Sequence, residues 1–332
     1  MSKIYEALRQ AELDRAQAPR KSADSAVLDN APDPVLAPEP LPLPVEPVRP
    51  ASRTFPERSF ATAVADMKAA PAPVPQAVPE SSEIDLANVR QEIWHPSLSQ
   101  LPALEERGNS VEQFRSLRSR MQEFRDLNTL KSLLVSSGLP QEGKSFIAAN
   151  LAISFARHKA GRVLLIDGDM RRATLHGLLG CSQGPGLTEY LSGDASIMQV
   201  MQRPDPNPSG QPLPAGLASL TFIPAGHEHD KAADLSGNHR FDRLIAATSP
   251  FFDWIVVDSS PVNLVSDGVN LARACDAVLL VARGGVTKFE VAQRALGELK
   301  ASKVLGFVLN AVQNPPAAAG YYGYDGYDKI ES

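Results

Sequence analysis

Glycine is missing from the first 107 residues of this 332-residue chain, since all 22 glycines lie at or after Gly108, while 14 of the 28 prolines fall between Pro19 and Pro79. A front rich in Pro, Ala, Ser and acids buries too little apolar surface to offset its ordering entropy, so residues 19–95 are expected to form an unfolded, partly polyproline-like linker. Cysteine is nearly absent too: Cys181 and Cys275 cannot build a disulfide framework, which fits a reducing compartment, and both read as small buried apolar residues. There is no excess of positive charge. With 33 Lys+Arg against 38 Asp+Glu, and neither end basic, binding to bulk nucleic acid or anionic lipid through counterion release is excluded as a first reading. Apolar runs fall far short of the roughly 18 residues a membrane span needs, and the charged N-terminus lacks the apolar stretch of a signal peptide. The expectation is a soluble cytoplasmic protein that reaches a membrane only through a partner.

What is present divides the chain into four parts. Residues 1–18 read as a short amphipathic helix, with Ile4, Ala7, Leu8 and Ala11 on one face and Ser2 as its cap. The linker follows, then a domain over 96–314, then a tail over 315–332. Within the domain, Val111, Phe114, Leu117, Met121 and Phe124 mark a helix from Val111 to about Leu127. Apolar runs at 133–135, 163–166, 220–223, 254–257, 277–281 and 305–309 alternate with helical patterns at 145–159, 232–247, 264–274 and 287–301. Continuous Val/Ile/Leu runs separated by helices describe an α/β fold, a mostly parallel sheet covered on both faces, whose ligands bind at the carboxyl ends of the strands. Residues 203–214, with five prolines, read as a surface loop.

Directly after the first strand comes Gly138-Leu-Pro-Gln-Glu-Gly143-Lys144-Ser145, which fits GxxxxGK[ST] in its required strand, loop and helix context. Glycines let backbone N–H groups converge on phosphate oxygens at a helix N-terminus, Lys144 reaches the β/γ-phosphates, and Ser145 offers a hydroxyl to Mg²⁺. A second strand ends in Asp167-Gly-Asp169-Met-Arg171, two carboxylates at i and i+2 that leave a buried strand in one direction. They suit holding Mg²⁺ or accepting a proton from an attacking hydroxyl. A third ends in Asp258 after four apolar residues, fitting the Walker B role of fixing the Mg²⁺ shell. The tail holds Tyr321, Tyr322, Tyr324 and Tyr327 among Gly and Asp, a setting in which tyrosines are exposed phosphate acceptors rather than core. His227, His229 and His239 read as members of a solvated loop rather than metal ligands. Trp94 and Trp254 read as packing residues.

From Val111 to the tail these motifs resemble, in order, the bacterial tyrosine kinases that act with exopolysaccharide and capsule machinery, within the MinD/ParA-like class of P-loop NTPases. The resemblance covers residues 110–327. It makes Gly138–Ser145 a Walker A loop, Asp167–Arg171 a Walker A′ and Asp258 the Walker B acid. Glu112-Gln-Phe-Arg115-Ser-Leu-Arg118 is similar to the family's ExxRxxR helix, which implies contacts between subunits of a ring through Glu112, Arg115 and Arg118. Val304–Asn310 resembles a family segment that places Asn310 beside adenine, and the tail matches the autophosphorylation cluster. The opening MSKIYEALRQAE resembles the N-terminal helix of members without a membrane domain. The chain departs from the pattern at Gln141, where the family has Gly, at Ser259-Ser260 after Asp258, and at Ala173 in place of a proline. No Pro-Asn-Pro-x-Glu-Leu segment is recognisable between His227 and Leu235.

The resulting expectation is an ATP- and Mg²⁺-dependent protein-tyrosine autokinase. Lys144, Asp167, Asp169 and Asp258 carry the chemistry. Gly138, Glu142, Gly143, Lys144, Ser145, Phe146, Arg171 and Asn310 hold the nucleotide, and Ser145, Asp167 and Asp258 hold the metal. Its implied partners are the cytoplasmic segment of a membrane polysaccharide copolymerase as activator, copies of itself, and a tyrosine phosphatase, with no nucleic acid. The rival expectations are a MinD/ParA-like ATPase switch, which needs a lysine where this chain has Leu139, and a catalytically weak scaffold.

Overall fold

The computed structural model describes residues 84–206, 213–227 and 231–313. The N-terminal helix, most of the linker, His229 and the four tail tyrosines lie outside the described residues. Eight strands, β1 (Arg90–Glu92), β2 (Ser132–Ser137), β3 (Val163–Gly168), β4 (Gln202–Pro204), β5 (Leu220–Ile223), β6 (Trp254–Ser259), β7 (Ala277–Arg283) and β8 (Val304–Asn310), form one sheet. Their order is β1-β4-β5-β3-β6-β2-β7-β8. All neighbours are parallel except β4 and β5.

Period-2 alternation within the central strands explains the layering. Leu133 and Val135 face one core and Leu134 the other; Val163 and Leu165 oppose Leu164 and Ile166 in the same way. The first core is closed by α1 (Asn109–Leu127), α2 (Lys144–Arg157) and α3 (Leu175–Leu179). The second is closed by α4 (Leu187–Ser192), α5 (Ile197–Val200), α6 (Ala232–Ser236), α7 (Arg240–Thr248), α8 (Asp267–Ala274) and α9 (Phe289–Glu298). Burial on both faces is why these strands read as unbroken apolar runs, each Leu, Ile or Val contributing about 1.5–3 kcal/mol. The two tryptophans pack as expected: Trp94 meets Phe222 edge-on at 6.2 Å, and Trp254 stacks on Phe155 at 4.2 Å.

Three expectations change. The folded part begins before position 96, because Ile84, Val89 and Trp94 are buried and β1 joins the sheet edge. Residues 202–204, partly assigned to a surface loop, pair as β4 with both neighbours, and Pro204 is buried. The helical pattern at 232–247 is broken at Gly237–His239 into α6 and α7.

Candidate active site

β2 ends at Ser137, and the chain passes through Gly138–Gly143 into α2, so the loop amides and the first turn of the helix meet at the carboxyl edge of the sheet. Gly143 is left-handed at φ 96°, and a Cβ there would lie 2.0 Å from Asn310 Nδ2. Gln141 is also left-handed, at φ 63°, a conformation that costs a non-glycine residue about 1 kcal/mol. Its carbonyl accepts from Arg283 Nη1 at 3.3 Å. The Glu142 carboxylate folds back into the loop, accepting from the Leu139 N–H at 2.8 Å and from the Thr287 hydroxyl. Asn310 Nδ2 donates to the Glu142 carbonyl at 3.0 Å. The side chains of Glu142 and Asn310, assigned from sequence to the nucleotide, therefore brace the loop. Neither residue lines the adjoining cleft, and nor does Gly138.

That cleft has a volume of about 730 Å³ and is walled by Gly143, Lys144, Ser145 and Phe146, by Asp169 and Arg171–Thr174, and by Ser260 and Pro261. At its base Lys144 Nζ pairs with Asp169 Oδ2 at 2.8 Å and donates to Ser145 Oγ at 3.2 Å. Burial works against the Lys144 ammonium, but Asp258, Asp169 and Asp167 together raise its pKa above the ordinary lysine value, so the side chain is a fixed cation. Asp258 is fully buried and stands opposite Asp167 in the register of β6 on β3. Burial pushes its carboxyl up to about 6, with Lys144 and the nearby Ser145 hydroxyl acting in the other direction. Burial and the Asp258 charge raise Asp167 well above the usual carboxylate range.

The two Walker A′ acids have different surroundings. Asp167 Oδ2 accepts from the N–H groups of Thr174 and Leu175 at 3.2 and 3.1 Å, and Oδ1 accepts from the Asp169 N–H at 3.3 Å. Asp169 reaches the cleft. Arg171 is held at the rim by Asp267, Nε to Oδ2 at 2.6 Å. Both Asp258 oxygens are buried and make no geometric hydrogen bond, so beyond the Lys144 charge the ionised carboxylate is unsatisfied and a bound cation would stabilise it. Together with the Ser145 hydroxyl they fit a Mg²⁺ ion. Asp167, its oxygens committed to backbone amides, fits a metal ligand less well than the sequence suggests.

Away from the cleft, Arg115 pairs with Glu112 along α1 and its Nη2 donates to the Glu106 carbonyl at 3.2 Å. Arg118 instead turns toward α2, Nη1 donating to the Ser154 carbonyl at 3.1 Å. Sequence reasoning did not single out Thr287, Arg283 or Asp267, the groups that hold the loop and Arg171. They sit in segments with no motif, and only their position in the fold reveals them.

No family model matches the chain. It is similar to the tyrosine-protein kinase CpsD of Streptococcus agalactiae, 32% identical over 197 residues, 58% of this chain and 80% of that one. It is 31% identical over 215 residues to the tyrosine-protein kinase Ptk of Acinetobacter johnsonii, covering 64% of this chain but 27% of the relative, so it spans little more than a quarter of that protein. In structure it resembles the kinase domain of the Escherichia coli tyrosine kinase ETK, with a TM-score of 0.58 and 28% identity over 68% of this chain and 85% of that one. Among the described residues no helix is long and apolar enough to cross a membrane. With CpsD matched over four-fifths of its length and the Walker acids meeting at one phosphate loop, the chain belongs to the bacterial tyrosine-protein kinase family.

Proposed function

We propose that the chain is an autokinase that transfers the γ-phosphoryl group of ATP to Tyr321, Tyr322, Tyr324 and Tyr327 of a neighbouring subunit. The observation that carries this reading is the convergence of Asp169 and the buried Asp258 on Lys144 beneath the phosphate loop. Phosphoryl transfer asks a protein mainly for positioning and charge neutralisation. Lys144, kept charged by three carboxylates, exchanges Asp169 for phosphate oxygens when the nucleotide enters. The loop amides cradle the phosphates, and Phe146 and Arg171 bound the space beyond them. Ser145 and Asp258 would hold Mg²⁺, which supplies charge neutralisation across the β- and γ-phosphates when bound. Asp167 or Asp169 takes the tyrosyl proton as the oxygen bonds to phosphorus and ADP leaves, and Asp169 is the one that lines the cleft. The protein works in the cytoplasm at the inner face of the plasma membrane, recruited and activated by the cytoplasmic segment of a polysaccharide copolymerase and reset by a tyrosine phosphatase. Phosphorylation of the tail then regulates polysaccharide polymerisation and export.

The test incubates purified protein with ATP and Mg²⁺, alone and with such a segment, and probes phosphotyrosine in wild type, Lys144→Ala and a chain ending at Ala319. Wild type should label, and both altered proteins should lose the signal. Labelling that survives either change overturns the proposal, and ATP turnover without phosphotyrosine would favour a nucleotide switch.

A further inference from the structure

α2 begins at the phosphate loop and ends about 20 Å away, at 1.5 Å per residue, beside a second cavity of about 270 Å³. Five of its nine lining residues are basic, Arg115 and Arg118 from α1 with Arg157, His158 and Lys159 at the end of α2, and none is acidic. Cations at a helix C-terminus ordinarily answer the helix dipole, which accounts for the three on α2. It does not account for Arg115 and Arg118, whose own helix ends about two and a half to three turns further on, at Leu127. The neighbouring acid, Glu112, is already paired with Arg115. Arg157 Nη1 is anchored by the Ala103 carbonyl at 2.6 Å. Arg118 spends Nη1 on Ser154, while its Nε is buried with no hydrogen-bond partner. Burial and the charges of Arg115 and Arg157 lower the Arg118 pKa, and burial with Arg118 and Lys159 lowers that of His158. These groups thus repel one another around a space lined by no acid, where the Ser154 and Ala103 carbonyls engage only Nη1 of Arg118 and of Arg157.

We propose that this cavity binds a phosphomonoester dianion. Such a group brings about −1.5 to −2 charges and three strong acceptor oxygens, against two oxygens for a carboxylate, and guanidinium forks match its geometry. Phe114 supplies an apolar wall for the carrier of the phosphate. The phosphate would come either from a phosphotyrosine on a second copy of this chain or from the free ion. The inference stands apart from the autokinase reading, because its readout is binding.

The test is calorimetric titration of the full chain, with ADP and Mg²⁺ filling the phosphate loop. The titrants are inorganic phosphate, a peptide of residues 320–328 carrying phosphotyrosine at 324, and the same peptide unmodified. Wild type is compared with the double variant His158→Gln/Lys159→Gly and with Arg118→Gln, and thermal melts confirm folding. Glycine suits position 159, where φ is 54°. A phosphate-bearing titrant should bind wild type and lose affinity about tenfold or more in the variants, while the unmodified peptide should not bind. Tighter binding of the phosphopeptide than of inorganic phosphate identifies tyrosyl phosphate as the source, and equal binding identifies the free ion. Equal affinity in wild type and folded variants, or no binding beyond the filled loop, overturns the proposal.

Discussion

Asp167 on β3 and Asp258 on β6 are register partners on adjacent parallel strands, both fully buried, at the level where the phosphate loop leaves β2. Burial raises both pKa values, and the Asp258 charge adds to the rise at Asp167 as the Asp169 charge adds to that at Asp258. For Asp258 the folded value is about 6 against an ordinary 3.8. Below the lower value the carboxyl is protonated in both states and its contribution to stability is complete. As pH climbs through the higher one, the folded state must ionise a buried group, and that contribution is lost. The nucleotide-free protein should therefore lose on the order of 2 kcal/mol from this source between about pH 4 and pH 7. Asp258→Asn should flatten the melting-temperature profile over that window. A variant profile as steep as that of wild type would remove Asp258 as the cause.

The Walker A′ acids should separate by their structural duties. Asp169→Asn removes the partner of Lys144 and a cleft-lining carboxylate that holds one backbone amide, the Arg172 N–H at 3.2 Å, so phosphotyrosine formation should fall by about 10²-fold or more with the smaller change in melting temperature. Asp167→Asn should lower both, since three backbone N–H groups are bonded to that carboxylate. Equal melting temperatures for the two variants would refute this division.

The brace on the phosphate loop gives a third test. Thr287→Val is nearly isosteric but leaves the buried Glu142 carboxylate without the Thr287 hydroxyl, a loss of about 1–3 kcal/mol for an unsatisfied buried acceptor. Because Glu142 also fixes the Leu139 amide, the loss should appear as a several-fold weaker affinity for ATP in equilibrium titration. Unchanged affinity would show that the loop holds its shape without Thr287.

Gln141 offers a contrast within the same loop. Its left-handed backbone makes Gln141→Gly tolerable, with stability within about 1 kcal/mol of wild type because relieved strain is offset by the entropy of the unfolded chain. Gln141→Val, β-branched at positive φ, should destabilise by about 1–2 kcal/mol. Thermal melts that ranked the valine variant at or above the glycine variant would contradict the φ of 63°.

The pattern of what the sequence revealed follows from where each signal resides. Val163–Ile166 and Ala277–Val281 were legible as central strands because burial on both faces demands unbroken apolar residues. Arg90–Glu92 at the sheet edge and Gln202–Pro204 beside it were not, since a strand of three residues is too short to carry an apolar pattern and is specified by backbone pairing. Lys144, Asp169 and Asp258 were legible because phosphate chemistry restricts residue type and spacing. Thr287 and Arg283 were illegible because they act across more than 140 residues of sequence, through one hydroxyl and one guanidinium. Gln141 was visible as a departure, but only the fold shows that it takes a left-handed backbone conformation of the kind that favours glycine.

The ExxRxxR helix gives the last test. Glu112 and Arg115 are half-exposed and paired with each other, so reversing Arg115 to Glu removes an outward charge and its partner while disturbing little inside the domain. If this helix joins subunits, Arg115→Glu should sediment as smaller species than wild type while melting within about 1 kcal/mol of it. Arg118 is different, since Nη1 is bonded to the Ser154 carbonyl between α1 and α2. Arg118→Glu would set a carboxylate against that carbonyl, so it should also lower the melting temperature. A normal sedimentation profile for Arg115→Glu would count against α1 as an interface, whatever Arg118→Glu does, because the second variant cannot separate lost assembly from lost packing.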